Sequence, residues 1–475
     1  MRQKKYWTII IILALSFLTH FAYFGHPNQT VFDEVHFGKF LSGYLTGEYF
    51  FDIHPPLGKL LLSGAGYLSG FKPGFSFANI GETFPDKQYQ ALRLLPALAG
   101  FLLPLIIYFL SLRLGFSRRG ALLASLFIVF ENALNIQSRF ILLDSFLLLF
   151  GFSSLLFYLK SKKACNLKPI THNLLLSGIF GGMASSVKWT GGTFLAVIVI
   201  LEFINLVKHP RASLGFKGCP WIGWTRNFRP ANLKLLAIKI SSLIVAPVLI
   251  YTGTFALHFS LLKKSGPGNV FMTPSFQKTL SNSHYQNDDN IKPIGFIKKF
   301  SELNTQMYLS NKGISAQHPY GSKWYSWPFS IRPVYFWNKA EAPGGNESKI
   351  YLLGNPFVWW SSTIAILLLL LNFARNLIKR LNLNFTEKFI LLGFFINLLP
   401  FVGITRVMFV YHYFTSLVFA ILALAYLVDK TNKKSLFALF AFFAILFFFF
   451  FSAFTYGFPL TPQEQNLLFW LPTWR

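Results

Sequence analysis

Long apolar runs separated by short basic loops dominate this 475-residue chain. A helix needs roughly 17 to 25 apolar residues to cross a hydrocarbon core of about 30 Å. Eleven stretches come near that length, so the pattern predicts an all-α polytopic membrane protein with about eleven transmembrane helices. They lie near residues 7–24, 93–112, 120–136, 140–159, 173–187, 190–206, 235–258, 356–372, 388–404, 407–428 and 435–454.

The predicted spans divide the chain into three parts. An N-terminal transmembrane module covers residues 1–258 and contains a first outer loop at residues 25–92. An extracytoplasmic loop follows at 259–355, and a C-terminal transmembrane module occupies 356–475. The boundaries inside 173–206 are open, because a single lysine separates two short apolar segments there.

Charge in the loops predicts the orientation. The N-terminus and the alternate loops on its side hold 24 of the 44 Lys and Arg residues, but only three of the 17 acids, Glu202, Glu387 and Asp429. By the positive-inside rule, this side faces the cytoplasm. The first span follows three basic residues and lacks a small-residue cleavage site, so we expect a signal anchor with its N-terminus inside.

Composition agrees with this interpretation. Of all residues, 53% are hydrophobic and 18% aromatic while only 13% are charged, which excludes a soluble globular domain of this length. The net charge of +27 lies in short loops and forms no stripe that could follow phosphates, so we expect a lipid bilayer and no nucleic acid as partner. Cys165 and Cys219 fall in predicted cytoplasmic loops, where no disulfide is expected.

Acids and histidines cluster in residues 31–62 of this otherwise apolar chain. Asp33 and Glu34 follow the first span, and Asp52 and His54 precede a Pro-Pro pair and an apolar run, which predicts a short helix beginning near Pro55. Two interpretations stay open. The acids are either solvated loop residues and a helix cap, or part of a chemical site.

Further polar residues occur near the same predicted face. Asp144 lies early in a span, where an acid usually has a partner or borders a wet cavity. Arg139 and Lys188 are both candidates for that partner, and a purely structural pair is an equally plausible interpretation. Arg406 and His412 come near the same surface, although a lone interfacial arginine is most often an anchor.

The loop at 259–355 carries an aromatic stretch that contains Trp324 and Trp327. Such rings are most simply explained as an interfacial belt. They would also suit a groove in which a peptide or sugar stacks on aromatic faces.

Seven separated motifs stand out along the chain: VFDEVHFGKF, YFFDIHPPLGKLL, SRFILLDSF, SSVKWTGG, SGPGNVFMTPSFQKTL, WYSWPF and VYHYF. Together they resemble those of the protein O-mannosyltransferases, integral membrane enzymes of the GT-C glycosyltransferase class. They run through nearly the whole chain in the right order, whereas the Asp-Glu pair alone is shared across GT-C enzymes. The outer loop is too short for the MIR domains of eukaryotic members, which favours a prokaryotic or otherwise reduced member.

The resemblance implies transfer of mannose from polyprenyl- or dolichyl-phosphate-mannose to Ser or Thr hydroxyls of unfolded polypeptides, with inversion. Direct inversion needs one base for the hydroxyl proton and positive charge on the departing phosphate. Asp33 matches the family's base, with Glu34 holding or polarising the acceptor. Arg139, Lys188 and Arg406 would contact the phosphate.

The same resemblance sets expectations for partners and location. The lipid-linked donor is a substrate, so no cofactor is expected, and a translocon is a further candidate partner. A prokaryotic plasma membrane is expected, or the endoplasmic reticulum in a eukaryote, with the site on the extracytoplasmic face. The histidines show no tight ligand spacing, so no metal is expected; they are His36, His54, His318 and His412.

Two other functions remain open from the sequence. One is a GT-C enzyme that uses another sugar or a lipid acceptor. The other is a transporter of lipid-linked sugars, which typically shows inverted repeats with helices broken near the midplane. No such repeat is evident in the sequence.

Overall fold

The computed structural model describes residues 2–164, 166–208, 230–314, 317–340, 345–381 and 384–475. Both cysteines, with their predicted loop positions, lie outside these ranges. The elements below are those of the described residues.

The N-terminal part is helical. Its helices are α1 (Arg2–Phe21), α2 (Glu34–Thr46), α3 (Leu57–Leu68), α4 (Tyr89–Leu114), α5 (Arg118–Val129), α6 (Asn132–Ser138), α7 (Asp144–Lys162), α8 (Leu167–Val187), α9 (Gly192–Lys208), α10 (Pro230–Ile240) and α11 (Ala246–Leu261). A π-helical turn, Ser241–Val245, joins the last two. The short helix predicted near Pro55 is α3, which begins two residues later, at Leu57.

The following segment contains α12 (Pro274–Gln277), α13 (Phe296–Gly313), β1 (Val334–Ala340) and β2 (Glu347–Leu352). The C-terminal part contains α14 (Pro356–Ile378), α15 (Phe385–Leu398), α16 (Phe414–Lys430), α17 (Lys434–Phe450), α18 (Ser452–Tyr456), β3 (Pro459–Leu460) and α19 (Pro462–Leu468). The strands form an antiparallel sheet in the order β1-β2-β3. The last part of the chain therefore pairs, through β3, with the segment between α11 and α14.

Six helical segments of the described residues are long and apolar enough to cross a membrane, or seven if the bent pair α5 and α6 is one span. Three shorter apolar helices lie at Tyr6–Phe21, Trp189–Asn205 and Lys434–Phe450. Each of the eleven predicted spans coincides with a helix or helix pair. The all-α membrane architecture is confirmed, apart from the small sheet, while the number of crossings and the three-part division stay predictions.

The central helices are apolar on every side, as expected for helices surrounded by protein. α16 is buried almost without interruption from Phe414 to Val428, and α7 is buried along most of its length. Small residues allow close approach elsewhere: a Cβ added at Gly178 of α8 would lie 1.6 Å from the carbonyl oxygen of Ser242.

A sharp bend separates α5 from α6. The two helices meet at 60°, and Glu131 caps the second by accepting a hydrogen bond from the Leu134 amide at 2.8 Å. The same carboxylate accepts from the Asn355 amide at 2.7 Å, just before α14. The bend therefore ties the N-terminal and C-terminal parts together beside the turn that leads to α7.

Candidate active site

A cavity of about 890 Å³ lies where α2, α7, α13 and the segment before α16 meet. Eight of the twelve residues predicted for the site line it, although they come from segments far apart in the sequence. These are Asp33, His36, Asp52, His54, Asp144, Lys188, Arg406 and His412. The other four, Glu34, Arg139, Trp324 and Trp327, are not among the lining residues.

Asp33 occupies the position before the first residue of α2, but its side chain makes no capping hydrogen bond. The preceding Phe32 has a φ of 22°, an unfavourable region for a bulky side chain. Its ring stacks on Phe336 of β1 at 5.0 Å, and its amide donates to the carbonyl oxygen of Phe336 at 3.0 Å. The sheet thus holds the strained residue that presents Asp33 to the cavity.

The Asp33 carboxylate has the properties of a base. No described residue donates a hydrogen bond to it, which leaves its oxygens available to a substrate hydroxyl. Burial raises the pKa of Asp33 to about 7; the Lys188 ammonium opposes this, and the carboxylates of Asp144 and Asp52 add to it. A carboxylate with a pKa near the working pH is well matched to taking a proton.

Glu34 has the opposite environment. Its side chain is fully buried and pairs with Arg93 of α4, which donates from Nε at 2.8 Å and from Nη2 at 2.7 Å. The amides of Val31 and Ile141 donate to the same carboxylate at 3.0 and 2.9 Å. These four bonds leave no access for an acceptor, so the predicted substrate contact is replaced by a structural role for Glu34.

Asp52 and His54 form another wall of the cavity. Lys59 of α3 forms an ion pair with Asp52 and donates to the His54 carbonyl oxygen at 2.7 Å. Burial opposes ionisation of Asp52, but the charges of Lys59 and His54 outweigh it and hold the pKa of Asp52 below its usual range. Asp52 is therefore a fixed anion facing the cavity, in contrast to Asp33.

Asp144 pairs with Lys188, whose Nζ donates to its carboxylate at 2.7 Å. Gln137 Nε2 donates to the other carboxylate oxygen, also at 2.7 Å. The lysine lies between α8 and the short helical turn Trp189–Gly191, so it joins two neighbouring segments across the cavity. Of the two partners considered from the sequence, the structure selects Lys188.

Arg139 lies away from the cavity, which corrects its predicted place beside the donor phosphate. Its Nη1 donates to the carbonyl oxygens of His20 at 3.0 Å and Ala22 at 2.6 Å, and its Nη2 donates to Tyr23 at 2.8 Å. The guanidinium also packs 4.7 Å from the ring of Tyr456. It satisfies carbonyls left unpaired at the end of α1, so its contacts are structural.

Two cations on the cavity wall have no acidic partner among the described residues. Arg406 comes from the segment before α16, and Lys312 comes from the last turn of α13. Tyr308 and Asn311 of the same helix also line the cavity. Sequence reasoning missed these three residues of α13, because they follow no motif and belong to a segment predicted as a surface loop.

The two tryptophans differ in environment. Trp327 is 1% exposed, stacks on the His412 ring at 5.9 Å and donates from Nε1 to Ser322 Oγ at 2.9 Å. Trp327 therefore packs against His412, which lines the cavity, and is itself too buried to contact an acceptor. Trp324 is partly buried next to the exposed Tyr325. Neither tryptophan lines the cavity, and Trp324 is the less buried of the two.

The described residues contain no group of three or more His, Cys, Asp or Glu side chains suited to a metal ion. His36 and His54 border the cavity, whereas His318 is not among its lining residues. The expectation that no metal or cofactor is required stays a prediction.

Solved structures share this fold. The Saccharomyces cerevisiae protein O-mannosyltransferase Pmt1-Pmt2 complex bound to the sugar donor matches with a TM-score of 0.88 at 22% identity, over 99% of this chain and 93% of that one. An Archaeoglobus fulgidus oligosaccharyltransferase matches with a TM-score of 0.54 at 13% identity, over 98% and 58% of the two chains. The architecture is that of the GT-C membrane glycosyltransferases.

Sequence profiles define the family more narrowly. Residues 10–263 match dolichyl-phosphate-mannose-protein mannosyltransferase, and residues 296–474 match the C-terminal four-helix transmembrane region of protein O-mannosyltransferase. The chain belongs to the dolichyl-phosphate-mannose-protein mannosyltransferase family, as the motifs predicted.

Curated relatives support the same family. Dolichyl-phosphate-mannose--protein mannosyltransferase 4 of Candida albicans is 36% identical over 284 residues, which cover 58% of this chain and 36% of the relative. Protein O-mannosyltransferase 1 of Drosophila melanogaster is 30% identical over 362 residues, covering 74% and 37%. The matched region spans only about a third of the length of these relatives.

Proposed function

We propose that this protein transfers mannose from polyprenyl- or dolichyl-phosphate-mannose to Ser or Thr hydroxyls of proteins on the extracytoplasmic face, with inversion. One observation carries the proposal. The Asp33 carboxylate, which accepts no hydrogen bond from a described residue, shares a cavity of about 890 Å³ with Arg406 and Lys312, two cations without an acidic partner in the described part of the chain. A base and a phosphate site in one cavity are what direct transfer from a lipid phosphate requires.

The reaction balances with these groups alone. The acceptor oxygen attacks the anomeric carbon of mannose from the face opposite the phosphate, and its proton passes to Asp33. The bond between the anomeric carbon and the phosphate oxygen breaks, and polyprenyl phosphate departs with the electron pair. Arg406 and Lys312 stabilise the charge left on that phosphate, while Lys188, paired with Asp144, supplies a third positive group at the wall.

Access to the base defines the acceptor. A hydroxyl must come within about 3 Å of Asp33, and this carboxylate sits on a cavity wall and not on an open surface. An extended, unfolded segment can reach it, whereas a folded domain is held too far away. Trp324, beside the cavity-lining segment, is the proposed aromatic contact for this peptide, and a translocon delivering unfolded chains is the proposed cellular partner.

The proposed location is the plasma membrane of a prokaryote. The support is the outer segment of roughly a hundred residues, which is too short for the MIR domains expected in eukaryotic members. The relatives named above are eukaryotic, and the equivalent location there would be the endoplasmic reticulum.

The test is an assay of purified membranes with radiolabelled polyprenyl-phosphate-mannose and a peptide rich in Ser and Thr. We expect label on the peptide, and none on a matched peptide in which Val and Ala replace Thr and Ser. Label that appears on lipid instead would indicate another GT-C activity. Donor that crosses vesicles without any labelled product would indicate a transporter.

A further inference from the structure

A second cleft, of about 290 Å³, lies between the C-terminal ends of α4 and α7. It is lined by Phe109, Leu112, Arg113 and Lys160. Lys160 follows Asp144 by 16 residues on one helix, which places it roughly 24 Å from the reaction cavity at 1.5 Å per residue. The cleft is therefore separate from the proposed active site, on the face predicted to be cytoplasmic.

Positive charge collects at this cleft. Arg113 is exposed and Lys160 half-buried, and neither forms an ion pair with a described residue. Lys163 follows one helical turn later. Partial burial, and then the nearby Arg113 charge, lower the pKa of Lys163. Arg113 thus shares the cleft with Lys160 and lies near enough to Lys163 to repel it.

No acid among the described residues pairs with Arg113 or Lys160. Only three acids belong to this predicted face, and each has other partners. Glu202 pairs with Lys239 at 2.8 Å, Glu387 pairs with Lys430 at 2.8 Å, and Asp429 accepts a 2.8 Å hydrogen bond from the Ser117 amide. With these three acids engaged elsewhere, the described part of the chain offers no counter-charge to the cleft, and an external anion can supply it.

The walls of the cleft indicate what kind of anion fits. Below the cations, α4 presents a stripe of partly uncovered apolar side chains at helical spacing, Leu102, Leu105, Ile106 and Phe109. This stripe continues into the cleft through Leu112. Beside it, the Lys160 ammonium lies 4.4 Å from the centre of the Phe157 ring, a cation–π contact that holds this charge against an aromatic face.

We propose that this cleft binds an anionic phospholipid of the cytoplasmic leaflet. Arg113 and Lys160 bind the headgroup phosphate, and one acyl chain lies along the α4 stripe. A soluble anion would gain nothing from the apolar wall, whereas a membrane lipid satisfies the charge and the stripe together. Cytoplasmic leaflets carry anionic lipids that attract such cations.

The test compares two purified full-length double variants with the unaltered protein. R113Q/K160Q removes the cations of the cleft. R118Q/K434Q removes two exposed cations of the same predicted face that do not line it, so both variants lose equal net charge. Binding of phosphatidylglycerol is measured by native mass spectrometry, with phosphatidylcholine and free glycerol phosphate as alternative ligands.

We expect one phosphatidylglycerol to bind the unaltered protein and R118Q/K434Q, with roughly tenfold weaker binding to R113Q/K160Q. Equal loss in both variants would show a general surface-charge effect and overturn the proposal. Equal binding of free glycerol phosphate would also overturn it, because the lipid chain would then contribute nothing. Should R113Q/K160Q fold poorly, R113K/K160R must retain the lipid, and a lipid-free but folded R113K/K160R would contradict the site.

Discussion

Two adjacent carboxylates, Asp33 and Glu34, have opposite environments. Glu34 accepts four hydrogen bonds in full burial, whereas Asp33 accepts none from a described residue and borders the cavity. The helix explains the contrast, because neighbouring residues at its start point in different directions. One acid can therefore fix the position of α2 against α4 while the other stays free for chemistry.

Replacing Asp33 tests the proposed base. We expect Asp33→Asn to lower mannosyl transfer by at least a hundredfold, since a positioned base contributes about 10² to 10⁴ in rate. Donor binding and thermal unfolding should stay near those of the unaltered protein. In the unaltered enzyme, transfer should rise with pH through about 7, because the pKa of Asp33 is about 7 and only its ionised form accepts the proton. A variant that turns over normally would exclude the role.

Replacing Glu34 tests the structural pair. Glu34→Gln leaves the Arg93 guanidinium buried without its counter-charge, and breaking such a pair typically costs about 3–5 kcal/mol. We expect a large loss of thermal stability in detergent, measured beside Asp33→Asn as the matched neighbour. If Glu34→Gln unfolds like the unaltered protein but loses transfer, Glu34 would have to act on substrate after all.

Sequence reasoning located all but one of the acids, cations and histidines that line the cavity, because such residues are rare in apolar chains and costly to bury. It could not separate Arg139 from Lys188 as the partner of Asp144. That choice depends on where α1 ends, since its last carbonyls take up the Arg139 guanidinium. Such long-range contacts leave no local pattern in the sequence.

At the scale of elements, α13 contributes side chains to the cavity that its sequence did not predict. It runs beside α11, with Phe300 packed 5.1 Å from Phe255 and Asn304 Oδ1 accepting from the Tyr251 hydroxyl at 2.6 Å. Its last turn then reaches the cavity with Lys312. A segment predicted as surface loop is therefore a wall of the proposed active site.

Lys312 of α13 allows a direct test of the proposed contact with the donor phosphate. We expect Lys312→Ala to raise the Michaelis constant for the lipid donor several-fold and to leave the constant for the peptide nearly unchanged, because an ionic hydrogen bond to phosphate is lost. Lys298→Ala is the matched control, since Lys298 is an exposed lysine of the same helix that does not line the cavity. Equal effects of the two substitutions on the donor would remove Lys312 from the site.

The sheet is the element that the sequence did not predict. Its strands are seven, six and two residues long, and a bulge between Tyr335 and Trp337 interrupts the alternation of β1. Short strands with irregular alternation give a weak periodic signal. The consequence is functional, because β1 holds the Phe32 backbone beside Asp33.

At the scale of the whole molecule, apolar length predicted the membrane architecture well. Every predicted span coincides with a helix or a helix pair, because satisfying backbone groups inside a bilayer leaves few alternatives. The two short segments around Lys188 are separate helices, α8 and α9, joined by a single turn. The length of an apolar segment alone does not decide whether its helix crosses the bilayer, since buried helices and spanning helices have similar composition.

The proposed active site and the lipid cleft require opposite faces of the membrane, so labelling from one side tests the orientation of the chain. With Cys165 and Cys219 replaced by Ser, a cysteine at exposed Asn287 should react with a membrane-impermeant maleimide in intact cells. A cysteine at exposed Lys433 should react only after the membrane is permeabilised, because its loop belongs to the basic face. The reverse labelling would place Asp33 inside the cell, where it could not meet polypeptides on the outer face, and would refute the proposed function together with the topology.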